Sequence, residues 1–249
     1  NLGLQQVAIN GHLVINQMEV YGIITSAFTH ASLMHIGMNM MSMYQLGTSL
    51  EIQFGSLSFL FLSIWSVVII GLIYVLIAYL AWCITGDYGW MLMSGVGYSG
   101  VLFCYAILES FHTTAESISL FGFCNVPAKW YPFVLLLLIQ FLIPGISFIG
   151  HVSGVLFGLM IVYGLATKFI LPSNDFIEYL ESTQFCSCFY RIESYVRNTG
   201  RSYTVPSLYD NGGICSSICY TFATIYKFIV DACLTVLAII GCPSESIAE

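Results

Sequence analysis

One serine and one histidine in this chain have neighbours that suit nucleophilic chemistry. Ser99 lies in the sequence GYSG over residues 97–100, and His151 begins the sequence HVSG over residues 151–154. A serine hydroxyl becomes a useful nucleophile when a histidine can take its proton. Serines are also common where membrane helices pack closely, and Ser99 considered alone would more often be a small packing residue. The two segments together indicate a nucleophile with its base.

The composition places this chemistry in a membrane. Hydrophobic residues make up 58% of the 249 residues and charged residues only 8%, whereas a soluble domain carries about a quarter charged residues. The mean hydropathy is +0.86. A polar side chain in lipid is costly, and its presence there points to function by default. The net charge of -7 excludes a general nucleic-acid binder, which needs a basic face.

Five apolar stretches are long enough, or nearly so, to cross a bilayer, which takes about twenty residues. They cover roughly residues 28–46, 57–82, 92–111, 130–146 and 148–171. Polar residues interrupt the first and third stretches, and such residues must face protein or a water-filled cavity. We expect residues 112–129 to form a loop between the third and fourth spans.

The remainder of the chain has a different character. We expect a membrane domain over residues 1–171, a polar tail over 172–213 and an apolar segment over 214–249. Lys227 and Asp231 lie one helical turn apart near the centre of that last segment, where charge would be expensive in lipid. This favours an amphipathic or partly inserted helix over a true span, and both remain open.

The basic residues before the apolar C-terminal segment fall in loop or tail positions on one side if the five spans alternate. They are Lys129, Lys168, Arg191, Arg197 and Arg201. The positive-inside rule makes that side cytosolic, and the tail with it. Residues 1–27 and the Ser99 and His151 ends of their helices then lie on the lumenal or extracellular face.

Four separated motifs occur in an order that resembles the rhomboid family of intramembrane serine proteases. They are HASLMHIGMN at residues 30–39, GTSLE at 47–51, GYSG at 97–100, and GHVSG at 150–154 with Gly158. The resemblance covers residues from about 18 to 168. It implies an all-α polytopic membrane protein, a rhomboid-like helical bundle, with five spans visible of an expected six. The missing first helix would precede residue 1, so we expect the chain to lack an upstream segment.

Two further segments, residues 120–127 and 144–151, look more like the eukaryotic endoplasmic-reticulum subgroup of the family. That narrower resemblance would make the chain a multi-pass integral protein of the endoplasmic-reticulum membrane. Residues 21–22 depart from the family, because Tyr21-Gly22 stands where an arginine paired with an aromatic residue is usual. The departure leaves the anchoring of this loop open.

The resemblance makes Ser99 the nucleophile and His151 its general base, with His35 and Asn39 helping to form an oxyanion hole. His35 and Asn39 are one helical turn apart, so they project from one helix face and could both donate to an oxyanion. Each such donor typically contributes about 2.7–4 kcal/mol to transition-state stabilisation. Nothing places Asp87, the one aspartate near a lumenal end, against His151. We therefore expect a dyad and not a triad.

Four glycines among the motifs have a geometric role under this interpretation. Gly97 and Gly100 let the backbone turn tightly around the serine between them. The spacing of Gly154 and Gly158 permits close approach of two helices.

Three other residues support the site under the same resemblance. Phe103 would lie against the catalytic histidine, and Glu51 would satisfy backbone groups of the loop that follows it. His30 either supports the site through a neighbouring residue or has a structural role. No metal or organic cofactor is implied, and the nine cysteines form no CxxC pair that would indicate structural zinc.

The function expected from the sequence is therefore an intramembrane serine endopeptidase that cleaves transmembrane segments of membrane proteins. Its expected partners are those substrates and the lipid bilayer, with no nucleic acid and with the oligomeric state open. The first alternative is a catalytically inactive rhomboid-like scaffold that binds membrane-protein clients. The second is a small transporter or channel, disfavoured because the sequence shows no inverted repeat and no carboxylate relay.

Overall fold

A computed structural model of the chain describes residues 3–120, 122–143, 145–183 and 192–198. The apolar segment 214–249 lies outside the described residues, as do Arg191 and Arg201 of the tail. In chain order the helices are α1 (Leu4–Val7), α2 (Gly11–Asn16), α3 (Gly22–Phe28), α4 (Leu33–Ser42), α5 (Thr48–Phe54), α6 (Ser56–Thr85), α7 (Gly89–Leu92), α8 (Ser99–His112), α9 (Tyr131–Leu142), α10 (Phe148–Val162), α11 (Thr167–Ile170) and α12 (Asn174–Ser182).

Two antiparallel pairs of short strands connect these helices. Strand β1 (Ile9–Asn10) pairs with β2 (Ser94–Gly95), and β3 (Ser117–Leu120) pairs with β4 (Cys124–Pro127). The second pair is a hairpin that turns at Gly122, whose φ is 80°. It lies in the expected loop 112–129. Strands of four residues contain too few alternating polar and apolar positions to be predicted from the sequence.

Helix α6 is the longest element because its sequence is uncharged, mostly apolar and without proline. Its 30 residues rise about 45 Å at 1.5 Å per residue. Within the described ranges it is the one helix both long and apolar enough to cross a membrane. It ends at Gly86, whose left-handed φ of 72° suits a glycine at a helix C-terminus.

The first expected span, 28–46, differs from the helix that forms there. Helix α4 begins only at Leu33, because the Ser32 hydroxyl caps it by accepting a hydrogen bond from the His35 N–H at 3.1 Å. It continues through a π-helical turn (Met43–Gly47) into α5. The helical run therefore ends at Phe54, beyond the expected boundary.

The spans expected at 92–111, 130–146 and 148–171 each contain a shorter helix than the apolar stretch indicated. Helix α8 begins at Ser99 because Gly97, with a φ of 112°, holds the preceding chain outside the helix. Helix α9 ends at Leu142, and α10 ends at Val162 before a turn at Gly164. Hydropathy reports apolar content, whereas caps and glycines decide where helices begin and end.

The core of the bundle is formed where α6, α8 and α10 pack against one another. Every residue of α8 from Gly100 to Leu108 is buried. Small residues allow the close approach: a side chain at Gly158 would begin 2.8 Å from Ile107 Cβ. A smaller cluster, which includes Ile9, Tyr74 and Ile149, lies under the short elements that precede α4.

The described part of the tail contacts the junction between α5 and α6. The Ser56 N–H donates to the Val196 carbonyl at 2.9 Å, and the Val196 N–H donates to the Ser56 hydroxyl at 3.0 Å. Glu181 of α12 accepts hydrogen bonds from the Asn198 N–H at 3.1 Å and the Tyr195 hydroxyl at 2.9 Å. Residues 192–198 thus pack against the start of α6 and against α12.

Candidate active site

The structure brings Ser99 and His151 into hydrogen-bond contact. Ser99 is the first residue of α8 and His151 lies in the first turn of α10. The Ser99 Oγ and the His151 Nε2 are 2.8 Å apart. This is the distance at which a neutral imidazole can accept a proton from a serine hydroxyl.

The second nitrogen of His151 decides whether a third residue joins the pair. His151 is 3% exposed, and its Nδ1 is buried without a hydrogen-bond partner in the part of the chain that the structure describes. If Nε2 accepts the serine proton, Nδ1 carries the hydrogen of the neutral ring. No carboxylate among the described residues holds that hydrogen, so the geometry is that of a dyad.

The ring of His151 is held by an aromatic neighbour instead. The centroids of the Phe103 and His151 rings are 4.6 Å apart, with an interplanar angle of 42°. Phe103 lies one helical turn after Ser99 and is itself buried. An apolar ring at this distance restricts the imidazole without contributing charge.

Glycines permit the contact between the two helices that carry the pair. A side chain at Gly154 would overlap the carbonyl oxygen of Gly100. A side chain at Gly100 would begin 2.9 Å from the carbonyl oxygen of Gly150. Helices α8 and α10 therefore meet backbone to backbone beside Ser99, which is the small-residue packing common in membranes.

His35 lies beside the loop that leads into α8. A side chain at Gly97 would begin 2.7 Å from the His35 Nε2, so the imidazole occupies the space that glycine leaves. The Ala31 N–H points to the His35 Nδ1 at 3.4 Å. With Nδ1 as the acceptor, Nε2 carries the hydrogen and can donate it to another group.

Asn39 lies one turn further along α4 and is 4% exposed. Its Nδ2 donates to the His35 carbonyl at 2.8 Å, and its Oδ1 is buried with no partner in the described ranges. An amide group carries two N–H donors. One is used within the helix, and the second remains for another acceptor.

A cavity of about 490 Å³ joins these residues. Ser99, His151, His35 and Asn39 all line it. Apolar side chains form most of the remaining wall, and they come from α4, α6, α8 and α9: Met34, Met38, Val67, Ile70, Phe103, Leu135 and Ile139. A few convergent polar groups in an apolar concave site are typical of ligand-binding pockets.

The other residues expected to support the site occupy two different places. The His30 ring stands 5.1 Å from the His35 ring in an edge-on contact, and the His30 Nε2 is buried without a partner among the described residues. Glu51 is not part of the cavity wall. Its Oε1 accepts a hydrogen bond from the Ser56 hydroxyl at 2.6 Å, at the junction of α5 and α6.

Residues 21–22 depart from the family pattern, yet the segment around them is anchored by other contacts. The Tyr21 hydroxyl donates to Glu19 at 2.7 Å, and this hydrogen bond raises the pKa of the Tyr21 phenol. Gly22 lets the backbone of α3 approach the Ala8 carbonyl, from which a side chain would begin 3.1 Å away. The Thr25 hydroxyl adds a hydrogen bond to the Val7 carbonyl at 2.9 Å.

Sequence reasoning missed two polar residues near the site. Asn10 caps α2 and also donates hydrogen bonds across to residues 92 and 94. Ser147 caps α10 by accepting from the Gly150 N–H at 3.3 Å, and it lines the cavity. Asparagine and serine are preferred helix N-caps, and this preference ahead of each helix is the signal that could have found them.

The fold and site define a helical bundle with a serine–histidine pair inside it. Residues 17–168 match the Rhomboid domain, and the chain therefore belongs to the rhomboid family of integral membrane proteins. The resemblance drawn from the motifs, and the rhomboid-like helical bundle that it implied, are confirmed.

Curated relatives agree with this membership. The chain is 34% identical over 198 residues to Rhomboid-like protein 15 of Arabidopsis thaliana, covering 79% of this chain and 48% of the relative. It is 32% identical over 146 residues to Rhomboid-related protein 4 of Homo sapiens, covering 59% and 46%. It is 31% identical over 108 residues to Rhomboid-type serine protease 2 of Debaryomyces hansenii, covering 41% and 37%. The chain spans about half the length of the curated relatives that it matches or less.

Proposed function

We propose that this chain is an intramembrane serine endopeptidase that cleaves the transmembrane segments of membrane proteins. The observation that carries the proposal is the contact of 2.8 Å between the Ser99 Oγ and the His151 Nε2. A serine needed only for packing has no requirement for a buried imidazole at hydrogen-bond distance. Membership of a family that includes a relative named as a serine protease supports the same conclusion.

In the proposed reaction Ser99 attacks the carbonyl carbon of the scissile peptide bond while His151 takes the hydroxyl proton. The peptide oxygen becomes an oxyanion. His151 then gives the proton to the leaving amine, and an acyl-enzyme remains on Ser99. A water molecule, deprotonated by His151, attacks the acyl carbon and releases the second product with Ser99 restored.

Donors for the oxyanion come from two directions. The first N–H groups of a helix have no partner within it, and Ser99 is the first residue of α8. The N–H of Ser99 is therefore a donor aimed along the helix axis at the reacting centre. His35 through its Nε2 hydrogen and Asn39 through its second amide hydrogen supply the others.

The cavity supports a substrate of the proposed class. Its wall is mostly apolar, and residues of both α4 and α9 contribute to it. An apolar side chain of a transmembrane segment would be accepted there, while the polar groups act on the backbone. Because a helical peptide bond is shielded, the segment must unwind locally, so helix-breaking or small residues near the cut should favour cleavage.

We also propose that the tail is cytosolic and that the protein resides in the endoplasmic-reticulum membrane. Lys129 lies in the segment between α8 and α9, and Arg197 lies in the tail after α12. The positive-inside rule makes the side that carries these basic residues cytosolic. A glycosylation acceptor inserted after residue 116 should stay unmodified, and one inserted before residue 4 should be modified. The opposite pattern would reverse the topology.

The test of the catalytic proposal uses the full-length protein in membranes. Fluorophosphonate labelling and cleavage of a model transmembrane substrate are measured for the wild type, Ser99→Ala and His151→Ala. Ser110→Ala is the matched control, because Ser110 lies on the same helix, is buried, and donates to the carbonyl of Ile107 on its own helix at 2.8 Å.

We expect both signals to disappear in Ser99→Ala and His151→Ala and to persist in Ser110→Ala. Cleavage that persists in Ser99→Ala would overturn the mechanism. A folded wild type that neither labels nor cleaves would favour the client-binding scaffold.

A further inference from the structure

We propose that Asn10 is a positioning residue for Ser99, because its side chain fixes the loop that leads into the helix bearing that serine. The inference rests on the proposed function of Ser99 as the nucleophile. Asn10 lies far from Ser99 in sequence, in the segment that precedes α4, and it does not line the cavity. Its action would therefore pass through the loop.

Every hydrogen-bonding atom of the Asn10 amide is used. Its Oδ1 accepts from the Leu13 N–H at 3.2 Å, which caps α2. Its Nδ2 donates to the Leu92 carbonyl at 2.9 Å and to the Ser94 hydroxyl at 3.1 Å. Asn10 is only 7% exposed, so water does not replace these bonds readily. One buried side chain thus joins α2 to the chain that enters the site.

The backbone pairing at this point is too short to hold the loop unaided. Strands β1 and β2 pair over two residues each, with Ile9 opposite Gly95 and Asn10 opposite Ser94. Isolated two-stranded pairs are marginal in water even when longer. The side-chain bonds of Asn10 act on the same residues and fix the register of the pair.

The loop beyond Ser94 has few other attachments before Ser99. Residues 94–97 line the cavity. The Gly97 N–H donates to the Ser26 carbonyl at 2.8 Å, which is a second attachment to the segment ahead of α4. Loss of the Asn10 anchor would leave the Leu92 carbonyl without its donor, and the near half of the loop would keep the bond that the Tyr74 hydroxyl donates to the Met93 carbonyl at 3.1 Å. The loop would then be held less firmly. A displacement of about 1 Å in a reacting group can cost roughly a hundredfold in rate.

The variant that isolates this role is Asn10→Asp. A carboxylate keeps the oxygen that accepts from the Leu13 N–H, but it has no hydrogen for the Leu92 carbonyl. Asn16→Asp is the matched control, because it makes the same chemical change at an exposed position of the same helix. Ser94→Ala removes one of the two acceptors that the Asn10 Nδ2 uses, and it introduces no charge. It provides a second test if Asn10→Asp folds poorly.

Three quantities are measured on the full-length protein in detergent. They are the second-order rate constant for fluorophosphonate labelling of Ser99, the thermal unfolding midpoint, and the hydrogen–deuterium exchange of amides in residues 92–98. A purely structural role would lower the unfolding midpoint and the labelled fraction. It would leave the rate constant of the folded protein unchanged.

We expect Asn10→Asp to lower the labelling rate constant about tenfold and to accelerate exchange in residues 92–98. Asn16→Asp should match the wild type, and Ser94→Ala should fall between the two. A wild-type rate constant for both Asn10→Asp and Ser94→Ala would overturn the positioning role while leaving Ser99 as the nucleophile. A wild type that does not label would overturn the nucleophile itself and with it the inference, and the exchange data would still report whether Asn10 anchors the loop.

Discussion

The carbonyl oxygen of Gly100 occupies the space in which a side chain at Gly154 would begin. The two glycines lie on α8 and α10, one residue after Ser99 and three after His151. Their contact sets the separation of the helices at the level of the site. The distance of 2.8 Å between Ser99 and His151 follows from this backbone contact.

Gly154→Ala should separate α8 from α10, because the new methyl group and the Gly100 carbonyl cannot share one position. Overpacking of this kind typically costs about 1–3 kcal/mol, and we expect a lower unfolding midpoint together with loss of substrate cleavage. Gly37→Ala is the control: it lies within α4, and a side chain there meets nothing within 4 Å. If Gly154→Ala were as active as the wild type, the backbone contact would not determine the geometry of the site.

His35→Ala should lower the rate of cleavage by about a hundredfold to a thousandfold, the usual effect of removing one oxyanion donor. The effect should fall on kcat, because the donor acts where charge develops in the transition state. Steady-state kinetics with a transmembrane substrate provide the measurement. Ile36→Ala, at the next position on α4 and outside the cavity wall, serves as the control. A change confined to KM would make His35 a substrate-binding residue.

Asn39→Ala should have a smaller effect than His35→Ala. One of the Asn39 amide hydrogens is already held by the His35 carbonyl at 2.8 Å, so the amide is less free to turn its second hydrogen toward the oxyanion. The double variant His35→Ala/Asn39→Ala separates the two contributions. If the residues act on one oxyanion, the effects should be less than additive. Fully additive effects on kcat would indicate that the two side chains act independently.

Phe103→Leu should lower kcat by up to about tenfold, because an aromatic contact of this kind is worth about 0.5–1.5 kcal/mol. The ring of Phe103 lies 4.6 Å from that of His151 and restricts the imidazole. Phe111→Leu, on the same helix with its ring 6.4 Å from Tyr163, is the matched control. Equal activities of the two variants would show that the Phe103 ring does not orient the base.

Ser56→Ala should lower stability by about 1 kcal/mol, the usual net contribution of a hydrogen bond, and should leave kcat unchanged. The Ser56 hydroxyl joins Glu51 at 2.6 Å to the Val196 N–H at 3.0 Å. The unfolding midpoint and limited proteolysis of residues 192–198 would measure the effect. Ser49→Ala, which loses one bond to Gln53 at 3.2 Å, is a control on α5, the helix that carries Glu51. Unchanged proteolysis would mean that Ser56 does not hold the tail segment.

Sequence periodicity and hydropathy predict the general bundle but not where its helices begin and end. The uncharged stretch at residues 57–82 predicts the long helix α6, which the structure extends to 56–85. The apolar stretch at 92–111 predicts a span, but Gly97 and the pairing of Ser94–Gly95 with Ile9–Asn10 keep its first residues outside α8. That pairing joins residues distant in sequence, so no local pattern reports it.

The sequence by itself determined which residues have the chemistry: a serine and a histidine in glycine-containing motifs, and two potential donors one turn apart in an apolar chain. Residue type and short-range spacing are written in the chain directly. Only the tertiary structure decided that Ser99 and His151 touch and that the Ala31 N–H faces the His35 Nδ1. It also decided that Asn10 bonds the loop that leads into α8. These relationships depend on packing between distant segments, where a few tenths of an ångström at Gly100 and Gly154 decide whether a hydrogen bond forms.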